Sequence, residues 1–210
     1  ASFIGLAAFL YPFFLPSLPE QGMMAHSSDA PLLTVILLGL CLGAVFANLT
    51  GHQMTSKLVA VLGVLTALNA VLRAVPGPAG FNAVFVLPIL AGYCYGPLFG
   101  FLLGALSLLV SALIGGGIGP WLPYQMLTAG WVGMSAPLCR RLARRLAPRL
   151  PHAEVIVLAV FAAVWGFLFG AIMNIWFWPF ATGPAEHTWQ PGTGMGAILG
   201  RYATFYVATS

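Results

Sequence analysis

The chain has 210 residues, of which 60% are hydrophobic and only 6% charged, with a mean hydropathy of +0.95. A soluble domain carries about 25% charged residues, so this chain cannot coat a water-facing surface with polar groups, and an all-α integral membrane protein is the class that remains. The formal net charge of +4 comes mostly from one arginine cluster and reads as a topology signal rather than a nucleic-acid patch.

In chain order, apolar runs divided by Gly, Pro and polar clusters predict spans over 1–15, 31–49, 57–75, 82–95, 97–114, 122–139 and 154–178, with another starting near Ala197. The run 82–95 is short for a full crossing and reads as tilted, broken or re-entrant. From Ala197 to Ser210 only 14 residues remain, fewer than the ~20 of a span, so the last helix reads as truncated. The chain opens on Ala-Ser-Phe rather than Met and reads as a fragment. Its first run has no basic flank or cleavage site of a signal peptide. Cys41, Cys94 and Cys139 sit in apolar runs at unrelated spacing, without a metal or disulfide pattern, and are expected to be small buried hydrophobes.

"RRLARRLAPR", Arg140–Arg149, holds five arginines and no acid. The positive-inside rule makes this loop cytoplasmic. Alternating the spans from it puts the segments 16–30, 76–81, 115–121 and 179–196 on the extracytoplasmic side. These are the Gly-, Pro- and aromatic-rich segments, including "GGGIGPWLPYQM", Gly115–Met126. Its glycines allow a sharp reversal and its prolines stiffen it. Trp121 offers a stacking wall and Gln125 a donor and an acceptor.

Polar groups gather at the same end. Arg73 closes its span there, either as a snorkelling anchor or as a binder of an anionic or amide-like group. Arg201 lies a few residues inside the last span with no acid near it in sequence, which points to a cavity or a partner. Asn82, Gln125 and Asn174 stand near helix ends and Asn69 deeper, suited to interhelical bonds or to a site. "NIWFWPF", Asn174–Phe180, is either an aromatic belt or a wall of a pocket; Trp121, Tyr124, Trp165, Trp178 and Trp189 complete the aromatic set. Small residues recur on two spans: Ala60, Gly63, Ala67, Ala70 and Ala74 on one, Gly96, Gly100 and Gly104 on another. Such ridges serve internal packing or docking to a partner membrane protein.

No metalloprotease, nucleophile-elbow or P-loop motif occurs, and no acid lies inside a span beyond Glu154 at the very start of one. Glu186 and His187 are the single acid–His neighbours; an intramembrane enzyme or assembly factor would rely on them. A structural membrane protein without a ligand is the third reading. No catalytic residue, metal ligand or cofactor is assigned. The pattern favours a binding membrane subunit whose energy comes from elsewhere.

From about Lys57 to Ser210 the chain resembles the substrate-binding S components of energy-coupling factor (ECF) vitamin transporters. The residues that carry the resemblance are "AVLGVLTALNAVLR", "LPILAGYCYGPLFGFLLGALSLLVSALIGGGIGPWLPYQMLTAGWVG", "VWGFLFGAIMNIWFWPF" and "RYATFYVATS". It implies a six-helix S-component-like bundle over 57–210, preceded by an extra pair of hydrophobic spans over 1–50. It also implies a multi-pass protein of the prokaryotic cytoplasmic membrane. The subgroup resembled is the cobalamin type, so cobalamin or a related corrinoid is the implied ligand, bound near the outer surface. From the polar and aromatic groups read above, the expected substrate-binding residues are Arg73, Asn82, Trp121, Tyr124, Gln125, Asn174, Trp178 and Arg201. The implied partners are an ECF transmembrane coupling subunit, docked on Ala60, Gly63, Ala67, Ala70 and Ala74, and two ATPase subunits.

Overall fold

The computed structural model describes residues 2–14, 27–51, 54–74, 83–148, 150–182, 184, 187–189 and 195–209. Among these residues every regular element is helical. α1 (Ser2–Leu10) runs into a 3-10 turn, Tyr11–Phe14, and α2 (Ala30–Thr50) and α3 (Ser56–Ala74) follow. A second 3-10 turn, Ala83–Phe85, leads into α4 (Val86–Tyr95) and α5 (Pro97–Ser111), which loosens into a π-helical turn, Ala112–Gly116. Then come α6 (Leu122–Ser135), α7 (Pro137–Leu146), α8 (Ala153–Phe177) with the turn Trp178–Phe180, and α9 (Met195–Thr209).

Ala30–Thr50, Ser56–Arg73, Pro97–Gly116 and Ala153–Phe180 are long and apolar enough to cross a bilayer, so the chain is a multi-pass membrane protein. Ser2–Phe14 and Ala83–Tyr95 are shorter apolar helices. The expected span 122–139 breaks in two: α6 ends at Ser135 and Pro137 opens α7. A proline has no N–H to continue the ladder but is pre-set for the first helical position.

The arginine cluster, expected as a loop, is therefore largely helical: Arg140, Arg141, Arg144 and Arg145 lie on α7, while Arg149 falls outside the described residues. Arg140 donates to the carbonyls of Tyr93 and Cys94 and stands 5.2 Å over the Tyr93 ring. Those carbonyls belong to the last turn of α4, whose acceptors have no partner within the helix. Arg141, Arg144 and Arg145 are exposed. Cys41 and Cys139 are buried as expected, but Cys94 is exposed because it sits on the outward side of that last turn.

α5 lies at the centre and packs against α3, α4 and most extensively α6. Leu102, Leu103 and Ala105 have no exposed surface. The α5–α6 contact is made by backbones. A Cβ on Gly100 would stand 2.4 Å from the Gly133 carbonyl oxygen, and one on Gly104 would stand 2.1 Å from that of Ala129. Gly92 of α4 is as tight, at 2.0 Å from the Gly133 oxygen. Gly130 accepts the Phe101 ring. This explains "GWVG": Gly130 and Gly133 are the receiving surface for α5. Gly96 plays a different part, its φ of +101° making the reversal between α4 and α5.

The ridge on α3 is divided. Ala60, Gly63 and Ala67 are exposed, whereas Ala70 is 2% exposed and faces inward. Nothing lies within 4 Å of a Cβ built on Gly63. The side chain of Ala74 lies outside the described residues. Thermal unfolding of the purified protein in detergent checks the difference between the two ridges. Gly104→Ala should lower Tm by an amount reflecting at least the ~1–3 kcal/mol of an overpacked core, and Gly63→Ala, with open space at its Cβ, should leave Tm unchanged or raise it by the ~0.5–1 kcal/mol of helix propensity.

Candidate functional site

At the end of α6 away from α7, α3, α5 and α6 bring three polar side chains together. Arg73, on the last turn of α3, donates from Nη2 to Gln125 Oε1 at 2.9 Å and from Nη1 to Ser111 Oγ at 3.5 Å. Ser111 is the last residue of α5 and Gln125 lies on the first turn of α6. Both acceptors are neutral, so they orient the guanidinium without cancelling its charge.

Two cavities meet at this arginine. One, of about 610 Å³, has Arg73 and Gln125 as its polar groups and is otherwise walled by Val84, Phe85, Leu108, Phe169 and the small residues of α8, such as Ala162 and Gly166. The Phe85 and Phe169 rings lie 4.9 Å apart, centroid to centroid. The other, of about 490 Å³, lies between Ala70, Ser111 and the bend at Gly115 and Gly116. Arg73 lines both. The guanidinium rests against the bend: a Cβ on Gly116 would come 3.1 Å from Nη1. A cation on an apolar wall beside hydrogen-bonding neutral groups suits a ligand with an apolar body and one carboxylate or carbonyl group.

The bend is built as its sequence suggests. Gly117 has φ +81°, a region that L side chains avoid, and Leu122 N–H closes the turn on the Gly119 carbonyl at 3.0 Å. Trp121 is 37% exposed and its ring covers Gly119, where a Cβ would meet it at 2.4 Å. It stands on the bend rather than in the wall of either cavity.

The remaining expected site residues are distributed around the same end. Tyr124 is fully buried and its hydroxyl donates to Asp29 Oδ2 at 2.9 Å. Trp178, 3% exposed, sits in an aromatic cluster with Phe13, Trp189, Tyr202 and Phe205, and its Nε1 donates to the His187 carbonyl at 2.8 Å. Asn174 is half-buried and its carbonyl accepts the Trp178 backbone N–H. Arg201 is half-buried on α9, with Nη1 buried and unpartnered among the described residues. Asn82 and Glu186 lie outside the described residues. Among the described residues of the expected set, Arg73 and Gln125 line the same cavity of about 610 Å³.

Asn69 serves the interior. It has no exposed surface, and Nδ2 donates to the Val84 carbonyl at 3.0 Å and to Ser107 Oγ at 2.8 Å. It thereby ties α3 to α5 and to the turn before α4, the interhelical use such residues have in membranes. Sequence reasoning missed Ser111 and Asp29. A serine in an apolar helix carries little signal, but Asp29 is one of four acids in the chain, and that scarcity was a usable one.

Residues 57–209 match the family described as "ECF transporter, substrate-specific component". No curated protein and no solved structure matches the chain. The match runs from the first turn of α3 to the end of α9 and so takes in Arg73, Ser111 and Gln125 with both cavities. This chain belongs to the ECF transporter substrate-specific components, a family of membrane-embedded, substrate-binding transporter subunits.

Proposed function

We propose that this subunit captures a vitamin at the extracytoplasmic face of a prokaryotic cytoplasmic membrane and delivers it for ATP-driven uptake by an ECF module. The module comprises a transmembrane coupling subunit and two ATPase subunits. The observation that carries this reading is the Arg73–Gln125 pair in the wall of an apolar cavity of about 610 Å³, a volume in the range of small-molecule sites. Trp121, Tyr124, Asn174, Trp178 and Arg201 frame the same end, and Asn82 belongs to the segment before the turn Ala83–Phe85.

Cobalamin or a related corrinoid is the ligand the family resemblance suggests. A corrin with its nucleotide tail is bulkier than this cavity and would lie across its mouth, towards the exposed Trp121. A compact vitamin with one ring system and one carboxylate would be enclosed whole, and the cavity's size and single cation favour that class.

Equilibrium binding of cobalamin, biotin and the cationic thiamine to the purified protein tests both. A ligand with a carboxylate or carbonyl group should bind, and thiamine, which is cationic and has neither, should not. Gln125→Ala should weaken that binding by about 1.5–3 kcal/mol, since it removes the group that orients a charged donor. A folded parent protein that binds no vitamin overturns the reading.

The exposed Ala60, Gly63 and Ala67 on α3 leave a flat path for another helix, and the coupling subunit is the proposed occupant. Ala70 and Ala74 extend the same small-residue run toward Arg73. With the complete complex, Ala67→Leu should abolish uptake while vitamin binding by the isolated subunit survives. Loss of both would assign the ridge to the bundle itself.

Orientation has its own check. In a background where Cys41, Cys94 and Cys139 are replaced, a cysteine at the exposed Ile118 should react with an impermeant maleimide added outside intact cells. One at the exposed Arg144 should not. The opposite pattern would turn the site toward the cytoplasm.

A further inference from the structure

The family match starts at residue 57, yet residues before it are built into the end of the bundle that carries Arg73. α1 lies antiparallel along α6 with a matched register. Ser2 Oγ accepts from Trp131 Nε1 at 3.0 Å. Gly5 faces Leu127 so closely that a Cβ would stand 2.8 Å from its Cδ1. Phe9 meets Tyr124 edge-on at 4.9 Å. Ser2, Gly5 and Phe9 are spaced i, i+3, i+7, and so are Tyr124, Leu127 and Trp131, so one stripe of each helix meets one stripe of the other.

The upper end of this contact is an acid. Asp29, in the turn before α2, accepts from Tyr11 Oη and from Tyr124 Oη, each at 2.9 Å to Oδ2. A carboxylate at a membrane mouth is costly unless hydrogen-bonded, and phenolic O–H···O⁻ bonds are of the strong, charge-assisted kind. Tyr124 and Gln125 are neighbours on the first turn of α6, about 100° apart around its axis. One points to the N-terminal pair and the other to the cavity. The segment that leads into α6 contains Gly115, Gly116 and Gly117 in a row, and residues 115–118 are exposed, so the contacts that hold the helix start from the bundle side come through Tyr124 and Gln125.

We infer that the N-terminal pair of helices braces the substrate site from behind α6 and that Asp29 is a positioning residue: through Tyr124 it fixes the first turn of α6 and holds Gln125 against Arg73. Asp29 does not line the cavity and acts on it at one remove. The functional consequence rests on the reading of the Arg73–Gln125 cavity as the binding site, whereas the structural link can be measured without any ligand.

The full-length chain in lipid nanodiscs is compared with Asp29→Ala, Tyr124→Phe and Tyr11→Phe by hydrogen–deuterium exchange. In the first two variants the amides of residues 125–128 should exchange about tenfold faster or more, with those of α5 unchanged. Tyr11→Phe removes a bond internal to the N-terminal pair and should leave residues 125–128 as in the parent. Tyr124→Phe deletes one oxygen and keeps the test intact if Asp29→Ala does not fold. Unchanged exchange at 125–128 in Tyr124→Phe overturns the inference, and so does an equal rise across α5 and α6, which would make the pair a general clamp.

Cobalamin and biotin are then used as binding probes. Whichever binds the parent should bind Tyr124→Phe and Asp29→Ala about tenfold more weakly and Tyr11→Phe equally well. Unaltered binding in both of the first two variants overturns the functional half. If neither probe binds the parent, the reading of the cavity as a vitamin site fails on its own, and the exchange pattern alone decides whether Asp29 positions α6.

Discussion

Where α5 crosses α6, the two backbones touch: a Cβ on Gly133 would stand 2.1 Å from the Gly100 carbonyl oxygen. Lipid tails are as apolar as leucine, so helices in a membrane associate through close packing and hydrogen bonds rather than through a hydrophobic drive. This contact leaves no slack between α5 and α6, and Gly92 brings α4 into it as well. The buried Asn69–Ser107 bond adds α3. Once these helices are registered, Ser111 at the end of α5, Gln125 at the start of α6 and Arg73 at the end of α3 converge.

That convergence gives the arginine its character. An ionisable group at the edge of the hydrocarbon is expensive and persists where it lines a cavity or has partners. Gln125 and Ser111 hold the guanidinium through neutral oxygens. These two contacts set the geometry of the guanidinium without themselves supplying a counter-charge. Gly116 completes the arrangement by leaving room for Nη1.

The small residues serve two purposes that a motif search does not separate. Gly100, Gly104, Gly130 and Gly133 are consumed inside the bundle, whereas Ala60, Gly63 and Ala67 face outward with open space beside Gly63. The arginine-rich segment divides in a similar way. Arg140 caps α4 by bonding carbonyls of its last turn, and Arg141, Arg144 and Arg145 remain on the surface.

Composition and periodicity by themselves determined that this is a multi-pass helical membrane protein, and they located most helices to within a few residues, because a bilayer crossing demands a long apolar run whatever it packs against. They also identified Arg73 and Gln125 as site candidates, since polar groups in so apolar a chain are few. What they could not decide is which polar groups meet. Trp178 and Tyr124 carry the same aromatic signal as a pocket wall, but the structure buries them in contacts with Phe13, Phe9 and Asp29. Residues 122–139 read as one span because hydropathy averages over the break at Pro137, which is a matter of a single missing N–H. Asp29 and Tyr124 are 95 residues apart in the chain. Their bond requires the turn before α2 to sit against the first turn of α6, and a contact at that separation is decided by packing in three dimensions, which no local pattern of residues encodes.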